Sequence, residues 1–111
     1  MQLTTHMQSN VEIITVDASR IDAAVAIQFK DRMREVLGGE RPRYVLDLHK
    51  VDFIDSSGLG AIVAAMKLMP KGGKLELAGL TPAVDKVFRM TRMDSIFAIH
   101  QSAESAAATS A

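Results

Sequence analysis

The order of apolar patterns along the chain constrains its fold more than any single motif. Short runs with strand character occur at VEIITV (Val11–Val16), at RYVLDLHKV centred on Val45–Leu48, at KLELAG and at IFAIHQ. β-branched and aliphatic residues dominate them, as expected of strands. One segment of helical period separates each run from the next. A tight hairpin joins only antiparallel neighbours, so strands linked by single helices need crossover connections and most of the sheet is expected to be parallel. With a further strand over Gln2–Met7, the chain is expected to be an α/β domain with a mixed, largely parallel sheet of four to five strands and about four helices. The pattern is compatible with helices on one face or on both.

The helical segments carry recognisable start and stop signals. In DAAVAIQFKDRMREVLGG, Val25, Phe29, Met33, Val36 and Leu37 share one face, Asp22 stands where an N-cap belongs and Gly38 where a helix stops. After Asp55 the period changes again: Leu59, Ile62, Val63 and Met66 align, with Ala61, Ala64 and Ala65 permitting close packing, until Pro70 and Gly72–Gly73 end the run. Thr81 and Pro82 open a third helix as cap and first residue, with Val84, Val87 and Phe88 inward. The small residues of SAESAAATSA are expected to form a turn of helix that buries little and then frays.

A length of 111 residues is one domain, expected to have its core over about residues 11–102. Aromatics are few and Trp is absent, so aliphatics and the seven Met must fill the interior; Met66, Met69, Met90 and Met93 are expected there as packing residues. Thirteen basic and thirteen acidic residues cancel, which gives no electrostatic reason to expect nucleic acid or an anionic membrane as partner. The lack of Cys excludes disulfides, thiol catalysis and thiolate metal sites. MQLTTHMQSN is too polar for a secretory signal and no run approaches a membrane span, so a metal-free cytoplasmic protein is expected.

The junction VDFIDSSGLG concentrates the chemistry: an aspartate, two serines and two glycines lie where a strand-like run gives way to a helix. A nucleophile elbow would need Gly two residues before and two after the serine, but Ser56 has Ile54 and Gly58 there, Ser57 has Asp55 and Leu59, and the downstream His100 sits in an apolar run. The glycines lack the lysine of a P-loop and the spacing of a dinucleotide fingerprint. Carboxylates at Asp17, Asp22, Asp47, Asp52 and Asp55 could gather at one end of a parallel sheet and hold magnesium, although loop-end acids are usually solvated. Capping of the helix by Ser56 or Ser57 would account for one hydroxyl. It leaves unexplained the second serine and a glycine at position 60, inside the first turn, where glycine costs about 0.5–1 kcal/mol relative to Ala.

VLDLHKVDFIDSSGLGAIVAAM closely resembles the hallmark segment of the STAS domain, specifically the stand-alone anti-sigma factor antagonists (anti-anti-sigma factors). LTPAVDKVFRMTRMDSIFAI resembles that family's downstream segment, and the likeness extends from about Val11 to Ser102. The resemblance implies a non-enzymatic, cofactor-free binding module that acts as a monomer. It would bind an anti-sigma factor serine kinase and so release a sigma factor, regulating transcription by partner switching. The kinase would phosphorylate the first hydroxyl after the motif aspartate and a serine phosphatase would restore it, which makes Ser56 the expected acceptor. Arg20, Asp22, Asp55, Ser56, Ser57, Gly58, Leu59 and Gly60 are the expected partner contacts. Relatives commonly carry a Gly-Glu-Leu-Asp-like turn before the first helix; ASRID keeps the acid as Asp22 but places Arg20 where another acid is usual, which bears on the partner's identity. The same likeness also allows an accessory subunit of a membrane transport complex, docked on its ATPase without a kinase.

Overall fold

The computed structural model describes residues 1–109. Its elements are β1 (Leu3–Gln8), β2 (Val11–Val16), β3 (Arg20–Ile21), α1 (Ala26–Leu37), β4 (Arg43–Asp47), β5 (Phe53–Ile54), α2 (Ser56–Met66), β6 (Lys74–Ala78), α3 (Pro82–Met90), a 3-10 turn (Met93–Ser95), β7 (Ile99–His100) and α4 (Ala103–Ala108). The main sheet has the order β1-β2-β4-β6-β7. β1 is antiparallel to β2, and every other pairing in it is parallel. The largely parallel α/β architecture expected from the pattern of runs is therefore present.

Side chains alternate across the sheet and both faces are covered. Ile14, Val16, Tyr44, Leu46, Leu75 and Leu77 meet Phe29 and Met33 of α1, Ile62 and Ala65 of α2, and Val84 and Phe88 of α3 in one buried core. Val11, Ile13, Val45 and Ala78 face the other way, under Ala103 and Ala106 of α4. This burial on two sides explains why all five residues of β4 are buried without alternation.

Several expectations need correction. α1 begins at Ala26, not near Asp22, because Asp22 first closes a turn: its Oδ1 accepts from Ala24 N at 3.1 Å and its carbonyl from Val25 N at 3.1 Å. Gly38 keeps a right-handed φ of −62°, and the left-handed residue that reverses the chain is Glu40, φ 53°. Of the run IFAIHQ only Ile99 and His100 pair with β6; Ile96 to Ala98 are turn and loop that follow the 3-10 turn. Met90 is 72% exposed rather than interior. The core also outruns 11–102 at both ends: Leu3 is buried, as are Ala103, Ala106 and Ala107 of α4, a helix closed by a reciprocal capping box between Ser102 and Ser105. A six-residue helix of small side chains thus buries Val11, Ile13, Val45 and Ala78, more than expected of it; the last two residues of the segment expected to fray lie outside the described residues.

Candidate functional site

The site is built where two loops meet at the mouth of α2. β3 and β5 pair in parallel as a separate two-stranded ribbon, Arg20 beside Phe53 and Ile21 beside Ile54. Asp52 N donates to Ser19 O at 2.7 Å and so extends the ribbon backwards. The ribbon brings the loop over residues 20–24 against the start of α2, although 32 positions separate Ala23 from Asp55.

Asp55 is the joint between them. As N-cap of α2, with extended backbone, it accepts from Gly58 N through Oδ1 at 2.9 Å. Its other oxygen, Oδ2, accepts from Ala23 N of the facing loop at 3.1 Å. These N–H donors, Gly58 foremost and Ala23 next, outweigh the opposing effect of desolvation and hold the carboxyl below its usual pKa, so it stays ionised.

Because Asp55 caps the helix, neither serine has to. Ser56 and Ser57 are the first two residues of α2 and both are exposed. The alternative in which a serine caps this helix is thereby set aside, and among the described residues neither hydroxyl is engaged in a hydrogen bond to the protein. The helix end behind them presents N–H groups and positive dipole character to solvent.

The glycines divide their roles. A Cβ on Gly58 would lie 2.0 Å from Ile21 O and 2.9 Å from Ile54 Cγ1, so the close approach needed here is to the chain's own loop. Gly58 is buried and turned inward, which corrects its expected place in the partner-contacting surface. Gly60 is exposed, and a Cβ there would meet nothing within 4 Å. Leu59 is half-buried against the core.

Arg20 and Asp22 lie on the loop that Asp55 pins through Ala23. Arg20 Nε donates to Asp22 Oδ2 at 2.7 Å while its guanidinium lies 5.1 Å from the centre of the Phe53 ring. Phe53 is 47% exposed, an aromatic that sequence reasoning passed over. Only the ribbon pairing reveals it, because VDFI carries no alternation that would mark one residue as outward. Ile27, in the first turn of α1, is a second exposed apolar residue and was likewise not anticipated.

Other carboxylates are engaged with neighbouring side chains. Asp17 bonds Lys50 Nζ and Thr4 Oγ1, Asp47 bonds His49, and Asp22 bonds Arg20. Among the described residues no group of three His, Asp or Glu is placed to hold a metal ion. His100 is committed to Glu76, Nε2 to Oε1 at 2.7 Å, and is not available as a base to Ser56. Among the described residues no helix is long and apolar enough to cross a membrane.

Comparison with known proteins agrees with this geometry. The family model described as the STAS domain matches residues 2–106. The candidate anti-sigma factor antagonist BtrV of Bordetella bronchiseptica is 38% identical over 95 residues, covering 85% of this chain and 75% of that protein. The anti-sigma-B factor antagonist of Listeria monocytogenes is 32% identical over 83 residues, 74% of this chain and 73% of that one. Among solved structures, an anti-sigma factor antagonist STAS domain protein from Planctomyces limnophilus superposes with a TM-score of 0.84 at 21% identity, covering 96% of this chain and 94% of that one. The Bacillus cell fate determinant SpoIIAA in its phosphorylated form gives 0.66 at 18%, covering 95% and 96%. A sulfate transporter family protein from Wolinella succinogenes gives 0.71 at 21%, covering 89% and 83%; at such identities the likeness is one of fold. A matched family model over nearly the whole chain, on a sheet and helix arrangement of the same kind, establishes that the chain belongs to the STAS domain family, and its curated relatives are anti-sigma factor antagonists.

Proposed function

We propose that this protein is a phosphorylation-controlled antagonist of an anti-sigma factor. It binds an anti-sigma serine kinase through the surface around Ser56 while that serine is unmodified, and thereby frees a sigma factor. The kinase phosphorylates Ser56, a serine phosphatase reverses it, and the domain itself catalyses nothing. One observation carries the reading: Ser56 is an exposed hydroxyl with no capping duty, because Asp55 has taken that duty over.

The physical consequences of phosphorylation favour exclusion of the partner over refolding. A phosphoserine brings about −1.5 to −2 charges at neutral pH. The N-terminus of α2 tolerates an anion there, so the fold is left as it is. On the partner side, an acid about 5 Å from the phosphate at an effective dielectric of about 20 would be repelled by about 3 kcal/mol per unit charge pair, before screening. Half of that is about tenfold in affinity. The tetrahedral group would also stand beside the open backbone at Gly60, where a docking surface can come close.

The test is incubation with a candidate serine kinase and ATP, followed by mass spectrometry. Label should fall on Ser56 and vanish in Ser56→Ala, and Ser56→Asp should bind the kinase at least tenfold more weakly than wild type. Equal binding by Ser56→Asp would overturn the reading. Docking on a transporter ATPase is the other reading the family allows. The fold-level likeness to a sulfate transporter family protein does not favour it over the relatives that share far more identity.

A further inference from the structure

The two edges of the main sheet are finished differently. At one edge β7 pairs over only Ile99 and His100, a short strand of the kind that offers little template to another chain. At the other, β1 runs six residues beside β2 in unbroken register, from Leu3 opposite Val16 to Gln8 opposite Val11. Exposed edges are usually guarded by Lys, Pro or a bulge. β1 is LTTHMQ, which has no Lys, Arg, Asp, Glu or Pro, and its continuous register leaves no room for a bulge. Thr4, Thr5, His6 and Met7 are all exposed, Met7 by 48%.

The register also fixes which backbone groups are free. Asp17 N donates to Gln2 O at 3.0 Å. In an antiparallel pair the bonded positions recur at every second residue, so Thr4, His6 and Gln8 exchange bonds with β2. The N–H and C=O of Leu3, Thr5 and Met7 then point out of the sheet, and no other hydrogen bond of the described residues occupies them.

We propose that β1 is a self-association edge, along which two copies of this chain pair antiparallel about Thr5 to join their sheets into one. Bonded pairs must lie among the outward positions, which sets Thr5 opposite Thr5 of the second copy and Leu3 opposite Met7, with about six backbone hydrogen bonds in all. A second copy suits this edge because the pairing is complementary to itself. It lays Leu3 against the exposed Met7 on one face and Thr4 against His6 on the other, and sets no like charges opposite each other. The zero formal net charge of the chain adds no long-range repulsion between copies. None of the residues around Ser56 lies on β1, so association here is independent of the proposed switch. It departs from the monomer expected from the sequence. A contact of one six-residue strand lies below the area of a standard interface, roughly 1,600 Å², so the dimer should be concentration-dependent.

Sedimentation equilibrium over about 5–500 µM, with hydrogen exchange on the same samples, tests the proposal. The expected result is a monomer–dimer equilibrium within that range, in which the amides of Leu3, Thr5 and Met7 gain protection as concentration rises. Thr5→Pro removes an outward N–H and spares the ladder to β2, and Met7→Lys puts a charge on the edge without altering the backbone. Each should weaken the dimer at least tenfold with an unchanged circular dichroism spectrum; if Thr5→Pro fails to fold, Met7→Lys decides. A monomer throughout, or a dimer that Met7→Lys leaves as strong as before, overturns the proposal.

Discussion

At the residue scale the site depends on Asp55 more than on the serines beside it. One carboxylate caps α2 and pins the opposite loop, so its removal should be felt in both. Asp55→Ala is expected to lower the melting temperature by a few degrees and to speed exchange at the amides of Ala23 and Gly58, with the far-UV spectrum preserved. The pH dependence has a definite sign. A carboxyl whose folded pKa is depressed stabilises fully above its unfolded value, about 3.9 for Asp, and loses that contribution as pH falls through the folded value. Wild type should therefore lose more melting temperature than Asp55→Asn does on acidification below about pH 4. Arg20 contrasts with it. Its pair with Asp22 is exposed on the arginine side, so Arg20→Ala should change stability by at most about 1 kcal/mol. The same substitution uncovers Phe53 and removes a cation from the surface proposed to meet the partner, so under that proposal the change to look for is in affinity for the kinase, measured by calorimetry.

At the element scale the two glycines of α2 make opposite predictions. Gly58→Ala drives a methyl into Ile21 O and must displace the loop or the helix, a cost of about 1–3 kcal/mol by analogy with overpacked cores. Gly60→Ala has open space and replaces a poor helix former, so the free domain should gain about 0.5–1 kcal/mol. If a partner packs flush on that backbone, Gly60→Ala will bind it more weakly although it is the more stable protein; urea unfolding together with calorimetry reads both effects. The sequence made these elements visible to unequal degrees. β2, α2 and α3 could be placed from residue type, period and stop or start signals because those signals are local. The β3–β5 ribbon could not, since two residues pairing two residues leave no pattern in the chain, and the exposure of Phe53 depends on that ribbon. The placing of Asp55 as cap was also concealed: Asp, Ser and Ser are all good caps, and only the register of the helix decides between them. α4 was undervalued for a related reason, because alanines bury little each and their importance comes from the sheet face they cover.

At the scale of the whole molecule, that last cover is locked by a buried ion pair. Arg43, at the start of β4, donates through Nε and Nη2 to Glu76 Oε1 at 3.0 and 2.7 Å, and through Nη2 and Nη1 to the carbonyls of Ala106 and Thr109 at 2.8 and 2.9 Å. Four elements, β4, β6, β7 through His100, and α4, thus meet at one carboxylate and one guanidinium. Burial pushes the Glu76 carboxyl up, but hydrogen bonds from Arg43 and His100 more than offset this and hold it below its usual pKa. Its stabilising contribution is accordingly complete above about pH 4.3 and is lost as pH falls through the depressed value. Removing one partner should be worse than removing both: Glu76→Ala strands a buried guanidinium, at about 3–5 kcal/mol, whereas replacing Arg43 and Glu76 together by apolar residues of similar volume can be nearly neutral to overall stability. The double variant would still lack the two bonds that hold the carbonyls of α4. Hydrogen exchange should then show α4 opening well before the sheet, while α2, which makes none of these bonds, keeps its protection. If α4 stays as protected in the double variant as in wild type, its alanines alone hold it down and the arginine lock is dispensable.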